Sequence, residues 1–245
     1  MKTLIHVALL ASLAAPLAWS AGTVKVYTPD SEKPKTLTHA EHLLDLVGQP
    51  RLANSWWPGA VIAERQKTAE AEQQHKALLA RLTGLAEQED GDDAAAINSV
   101  RQQLQALKVT GRQNVNLDPD EVRVTEKGNP TLEGEYTLWL PVKPTTVTVM
   151  GLISSPGKKP FTPGRDVASY LDEQSLLSGA DNSYAWVVYP DGHTQKAPVA
   201  YWNKRHIEPM PGSIIFVGFA DHFWTKAYDG INADILRSLI QRIPD

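Results

Sequence analysis

The chain has 245 residues, 24 Lys and Arg against 28 Asp and Glu, no cysteine, and 42% hydrophobic residues. A net charge of −4 with no basic block argues against a nucleic-acid partner, since neutralised phosphates supply most of that affinity. Without cysteine there is no disulfide framework, so the fold must stand on its hydrophobic core, which this length and composition can supply.

The N-terminus carries Lys2, an apolar run from Leu4 to Leu17, and Ala18-Trp19-Ser20 ahead of Ala21. A positive start, a short apolar stretch and small residues at minus three and minus one form the pattern of a cleaved secretory signal peptide over residues 1–20. The run, at about 14 residues, is shorter than the roughly 20 needed to cross a bilayer. No cysteine follows the cut to take a lipid. The expectation is an exported, unanchored, soluble chain.

Thr23 to Val26 alternates with β-branched residues and predicts a strand. Thr38-His39-Ala40-Glu41 has capping-box spacing ahead of a helix carrying Leu43, Leu44, Leu46 and Val47 and stopped by Gly48. From Ala60 to Lys108 there is no proline, and helix formers dominate. Leu78, Leu82 and Leu85 make one apolar stripe; Ile97, Val100, Leu104 and Leu107 make another. Gln88 to Asp93, with Gly91 inside it, separates them, which predicts a helical hairpin over residues 60–108. Its first helix would be roughly 40 Å long. Glu121 to Thr125 and Tyr136 to Val142 read as strands.

Thr146 to Val149 repeats the opening strand at an offset of about 123 residues, as in a duplicated unit. Thr162-Pro163 is read as opening a helix through Val167, Tyr170 and Leu171, with Gly179 marking its end. Tyr184 to Tyr189, Lys196 to Trp202 and Ser213 to Phe219 follow as strands, with Pro190-Asp191-Gly192 as a turn. From Asp229, the stripe Ile231, Ile235, Leu236, Leu239, Ile240 and Ile243 predicts a terminal amphipathic helix. That helix either docks on its own core or contacts a membrane or partner.

Catalytic and cofactor signatures are missing: there is no G-x-S-x-G, H-E-x-x-H, phosphate loop or G-x-G-x-x-G. His39 and His42 are spaced as one helical turn, which could serve a metal, though no third ligand has matching spacing. Asp118-Pro119-Asp120-Glu121 clusters acids, as glycosidases do, but Asp-Pro-Asp is also an ordinary turn. Trp56-Trp57, Tyr201-Trp202 and Phe223-Trp224 are adjacent aromatic pairs; on a strand one of each would be exposed. An exposed tryptophan near an arginine suits a sugar face plus an acidic group. That reasoning selects Trp56, Trp57, Arg51 and Arg112 as binding candidates, with Arg112, beside Gly111, alternatively bracing the junction after the hairpin.

Val147-Thr148-Val149-Met150-Gly151, Ser155-Pro156-Gly157, Asp166 to Leu171, Tyr189-Pro190-Asp191-Gly192 and Met210-Pro211-Gly212-Ser213-Ile214-Ile215 resemble the SLBB β-grasp domains of outer-membrane polysaccharide exporters. Ser213 departs from the acidic residue usual there. Trp56 to Ile62, Phe161 to Asp166 and Ala200 to Lys204 extend the likeness, and as a whole the chain resembles the GfcC/YjbG family of capsule and exopolysaccharide biosynthesis proteins. The resemblance implies an α+β fold with two β-grasp domains (21–142 and 143–226), the helical hairpin inserted in the first, and a terminal helix (227–245). It implies a periplasmic, non-enzymatic accessory role, with polysaccharide or outer-membrane polysaccharide export proteins as partners; the chain is separately expected to be a monomer. The competing expectation is a glycan-modifying enzyme using Asp118, Asp120 and Glu121.

Overall fold

The computed structural model describes residues 21–221 and 225–244. The signal-peptide reading and the Phe223-Trp224 pair lie outside the described residues. The elements run in chain order β1 (Gly22–Tyr27), β2 (Lys35–Ala40), α1 (Leu43–Val47), β3 (Val61–Glu64), α2 (Arg65–Ala86), α3 (Gly91–Gln105), α4 (Pro119–Val124) and β4 (Glu135–Trp139). They continue with β5 (Thr146–Gly151), β6 (Gly157–Pro160), α5 (Val167–Leu171), β7 (Tyr184–Val188), β8 (Thr194–Pro198), β9 (Ile214–Val217) and α6 (Ile231–Ile240). This is a mixed α+β fold with two mixed sheets.

The first sheet has the order β2-β1-β4-β3, the second β6-β5-β9-β7-β8. In each, a hairpin comes first and its opening strand pairs in parallel with the last strand of the unit, β1 with β4 and β5 with β9. The two units therefore share a pairing scheme. Strand alternation explains the first core: Val24 and Val26 are buried while Lys25 and Tyr27 face out. Leu43 and Leu46 of α1 close over them with Ile62 and Leu138.

The second sheet is covered on both faces. Val147, Val149, Val187 and Ile215 pack with Tyr170 of α5. On the opposite face Met150, Phe216 and Ile214 meet Leu82 of α2, Ile97 and Leu104 of α3, and Ile235 and Leu239 of α6. Helices that lie between strands of the first sheet thus build the core of the second. Gln103 locks this packing, donating to the Gly151 carbonyl (3.0 Å) and accepting from its amide (2.8 Å). The terminal helix is docked: Ile231, Ile235, Leu236 and Leu239 are buried. Arg81 pairs with Asp234 at 2.7 Å, and His75 Nδ1 meets Ser238 Oγ at 2.6 Å. The apolar face of α6 is thereby occupied. No helix among the described residues is long and apolar enough to cross a membrane.

Several local expectations are corrected. Thr38 and His39 belong to β2, where one extra residue opposes β1 and His39 sits at φ 68° in the bulge. The helix start moves to His42, whose amide donates to Asp45 Oδ2 at 2.9 Å. His39 and His42 therefore do not share a helix, and no group of three His, Asp or Glu among the described residues is placed to hold a metal. Val61–Glu64 is a strand rather than the first turn of α2, because Val61 and Ile62 are buried beside β4. The helix is shorter as a result: 22 residues, about 33 Å. Glu121 to Thr125 is not a strand: Asp118 Oδ1 caps α4 through the Asp120 amide (2.9 Å), with Pro119 at the first helical position. Thr162-Pro163 forms a turn, and α5 starts later, capped by Asp166, which accepts from the Ser169 amide at 2.9 Å. The helix ends at Leu171, well before Gly179. β8 stops at Pro198, so Tyr201 and Trp202 are not on a strand.

Candidate functional site

A cleft of about 430 Å³ opens between segments of the two units. Its walls come from the turn before β3 (Trp57, Pro58, Ala60), the segment after α3 (Arg112 to Leu117), the start of α4 (Asp118, Glu121), the β7–β8 turn (Asp191, His193) and Met210 before β9. That volume lies within the usual range for small-molecule sites, roughly 300–1,000 Å³.

Arg112 is at the root of the cleft. Its Nη2 donates to the Pro190 carbonyl at 2.6 Å and to Ala60 at 3.4 Å, and its Nη1 donates to Ile240 at 3.2 Å. Gly192 turns at φ 94° against it; a Cβ there would lie 3.0 Å from Arg112 Nε. Desolvation lowers the Arg112 pKa to about 10, an effect opposed by the Asp191 carboxylate. The group stays charged at neutral pH, with its fork spent on backbone carbonyls of three distant segments. This is the geometry of the junction-bracing alternative.

Asp191 and His193 form a pair across the turn, with His193 Nδ1 at 2.6 Å from Asp191 Oδ1. The imidazole stacks on Tyr189 at 4.0 Å between ring centroids. A carboxylate on Nδ1 holds a proton there and leaves Nε2 for another partner. Burial raises the Tyr189 phenol pKa, and Asp191 adds to the effect. Its single hydroxyl proton is shared between Gln195 Oε1 (2.9 Å) and the Glu208 carbonyl (3.2 Å), which fixes the ring under His193.

The sequence candidates separate. Trp57, Arg112, Asp118 and Glu121 come together in the cleft; Arg51, Trp56 and Asp120 do not line it. Arg51 lies on an exposed turn, Pro50–Leu52. Trp56 folds over its own turn, so that a Cβ on Gly59 would clash with the ring at 2.0 Å. Asp120 faces Arg123 at 3.4 Å. The Trp57 Nε1 is buried without a hydrogen-bond partner, so Trp57 offers the cleft ring surface only. Sequence reasoning missed Asp191, His193 and Met210. The Pro-Asp-Gly-His run signals a turn, and nothing local says that this turn faces α4.

Residues 20–143 match the family description "Capsule biosynthesis GfcC, N-terminal", and residues 155–244 match "Capsule biosynthesis GfcC C-terminal". This chain belongs to the GfcC family of capsule biosynthesis proteins. It is also 69% identical over 238 residues to the "Uncharacterized protein YjbG" of Escherichia coli (strain K12), covering 97% of each chain. Both matched regions contribute walls to the cleft, so the site exists only when the two units of the family are assembled.

Proposed function

We propose that this protein is a non-enzymatic periplasmic accessory of capsule or extracellular polysaccharide assembly and export, and that it holds a segment of glycan in the junction cleft. On this reading the two sheets are β-grasp units, α2 and α3 are a helical hairpin inserted in the first, and residues 1–20 are a cleaved export signal. The observation that carries the proposal is the lining of the cleft. Asp118, Glu121, His193 Nε2, Asn114 and Asn116 offer hydrogen-bonding groups around one indole surface, while the buried cation is engaged elsewhere. Carboxylates and amides accept from sugar hydroxyls, and an indole surface covers the C–H face of a ring. The cleft is acidic, which suits a neutral rather than an anionic sugar.

Deleting the gene should lower surface polysaccharide, and complementation with Trp57→Ala should fail to restore it. Normal secretion in the deletion strain refutes the role. The competing enzymatic reading draws on the same Asp118 and Glu121. Shortening or deacylation of the polymer by purified protein, lost in Glu121→Gln, would replace the accessory role. Sequencing the N-terminus of the protein from a periplasmic fraction tests the export step, with Ala21 expected first.

A further inference from the structure

Tyr201 and Trp202 take no part in the cleft. After β8 the chain turns back on the start of β7: the Val199 amide donates to the Ser183 carbonyl at 3.0 Å, and Asn203 Nδ2 donates to the same carbonyl at 3.1 Å. Asn203 N to Ala200 O (3.0 Å) and Arg205 N to Pro198 O (3.3 Å) close the turn. A held base therefore presents two rings to solvent. Tyr201 is 92% exposed and Trp202 63%, the two most exposed aromatic residues among those described. They lie edge to face at 5.6 Å and 88°. Burying neither ring forfeits a large apolar contribution, and the core does not use this surface.

Three basic residues follow. Lys204 Nζ is 3.4 Å from Asp166, and His206 Nε2 is 2.7 Å from Glu208, so both already have a partner. Arg205 is exposed and has no ion pair among the described residues. Two open rings and, three positions further along the same turn, one exposed guanidinium stand on an otherwise acidic protein.

We propose that this turn is a second, separate platform that binds an acidic polysaccharide, with sugar faces on Trp202 and Tyr201 and sugar carboxylates on Arg205. The guanidinium fork matches a carboxylate in two bonds, and ring faces cover pyranose C–H groups. Two rings offer on the order of 300–500 Å², short of the about 800 Å² per partner of a stable protein interface, and a short glycan segment fits that area. The proposal rests on the reading that the protein handles polysaccharide, and adds that the polymer carries acidic sugars beside the neutral ones suited to the cleft, and where the acidic ones are read.

The test is titration of the exported chain with alginate oligosaccharides, a uronic-acid probe, and with maltohexaose, a neutral one, following tryptophan fluorescence and heat. Alginate should bind, more weakly as salt rises, and Trp202→Ala and Arg205→Ala should each weaken it about tenfold while Trp57→Ala leaves it unchanged. Both positions are exposed and outside the core, and a thermal melt of each variant checks that it folds. Equal alginate binding by both platform variants overturns the proposal; if Trp57→Ala then abolishes maltohexaose binding, the cleft reading stands alone. Failure of the wild-type chain to bind either probe overturns both. Secretion lost in Trp202→Ala cells with alginate binding intact assigns the turn to a protein partner and also overturns it.

Discussion

Replacing Arg112 with alanine should cost about 3 kcal/mol of stability. The side chain ties Pro190 of the β7–β8 turn and Ile240 at the end of α6 to the segment that follows α3, with bonds of 2.6 and 3.2 Å. A hydrogen bond from a charged donor contributes about 1.5–3 kcal/mol net, so losing two costs about 3–6 kcal/mol. Water entering from the cleft restores part of this by bridging the freed carbonyls, which sets the expectation at the lower end. The Ala60 contact, at 3.4 Å, adds little. Arg112→Lys keeps the charge but not the fork, and should lose about half as much. Urea unfolding of the three proteins measures the differences as shifts in midpoint at constant slope. A loss below about 1 kcal/mol for Arg112→Ala would refute the bracing role and leave its donors free for a ligand.

Two glycines should respond with opposite signs. A Cβ on Gly111 would sit 2.3 Å from the Lys67 carbonyl carbon and the Thr68 nitrogen, backbone atoms that cannot rotate away, whereas Gly84 has nothing within 4 Å. Gly111→Ala should destabilise by about 3 kcal/mol, and Gly84→Ala, inside α2, should stabilise by about 0.5–1 kcal/mol; thermal melts of both decide. The buried His75, hydrogen-bonded to Ser238, has its pKa lowered by desolvation, partly offset by a backbone hydrogen bond with Leu104. The unfolded chain takes up that proton first as pH falls, so this contribution is complete above about pH 6.5 and is lost as pH drops through the folded value. Unfolding midpoints of wild type and His75→Gln should therefore converge toward acid; a gap that is constant with pH contradicts the assignment.

Much of the secondary structure is legible in sequence because its causes are local. The Leu78-Leu82-Leu85 and Ile97-Val100-Leu104 stripes mark α2 and α3, the Ile231 to Leu239 stripe marks α6, and the Thr-Val strands mark β1 and β5. Local rules compete where two patterns overlap. Glu121 to Thr125 alternates like a strand, yet the Asp118-Pro119 cap makes it helical, with Val122 buried and Val124 open to solvent. The Tyr201-Trp202 pair exposes both rings because β8 ends at Pro198, and strand alternation never applies to them.

Part of the cleft is readable in advance, since Trp57, Arg112, Asp118 and Glu121 stand out by residue type. Their grouping is not, and neither is the arrival of Asp191 and His193 from the second unit. Sequence alone determined the family, the apolar stripes and the opening strands, all set by residues within a few positions of one another. Tertiary structure alone decided that α2 and α3 cover the second sheet, that α6 spends its apolar face there, and that Arg112 reaches the carbonyls of Ala60, Pro190 and Ile240. An apolar stripe carries no address: Leu82 packs equally well on any sheet, and only the simultaneous closure of both cores selects Phe216 and Met150 as its neighbours.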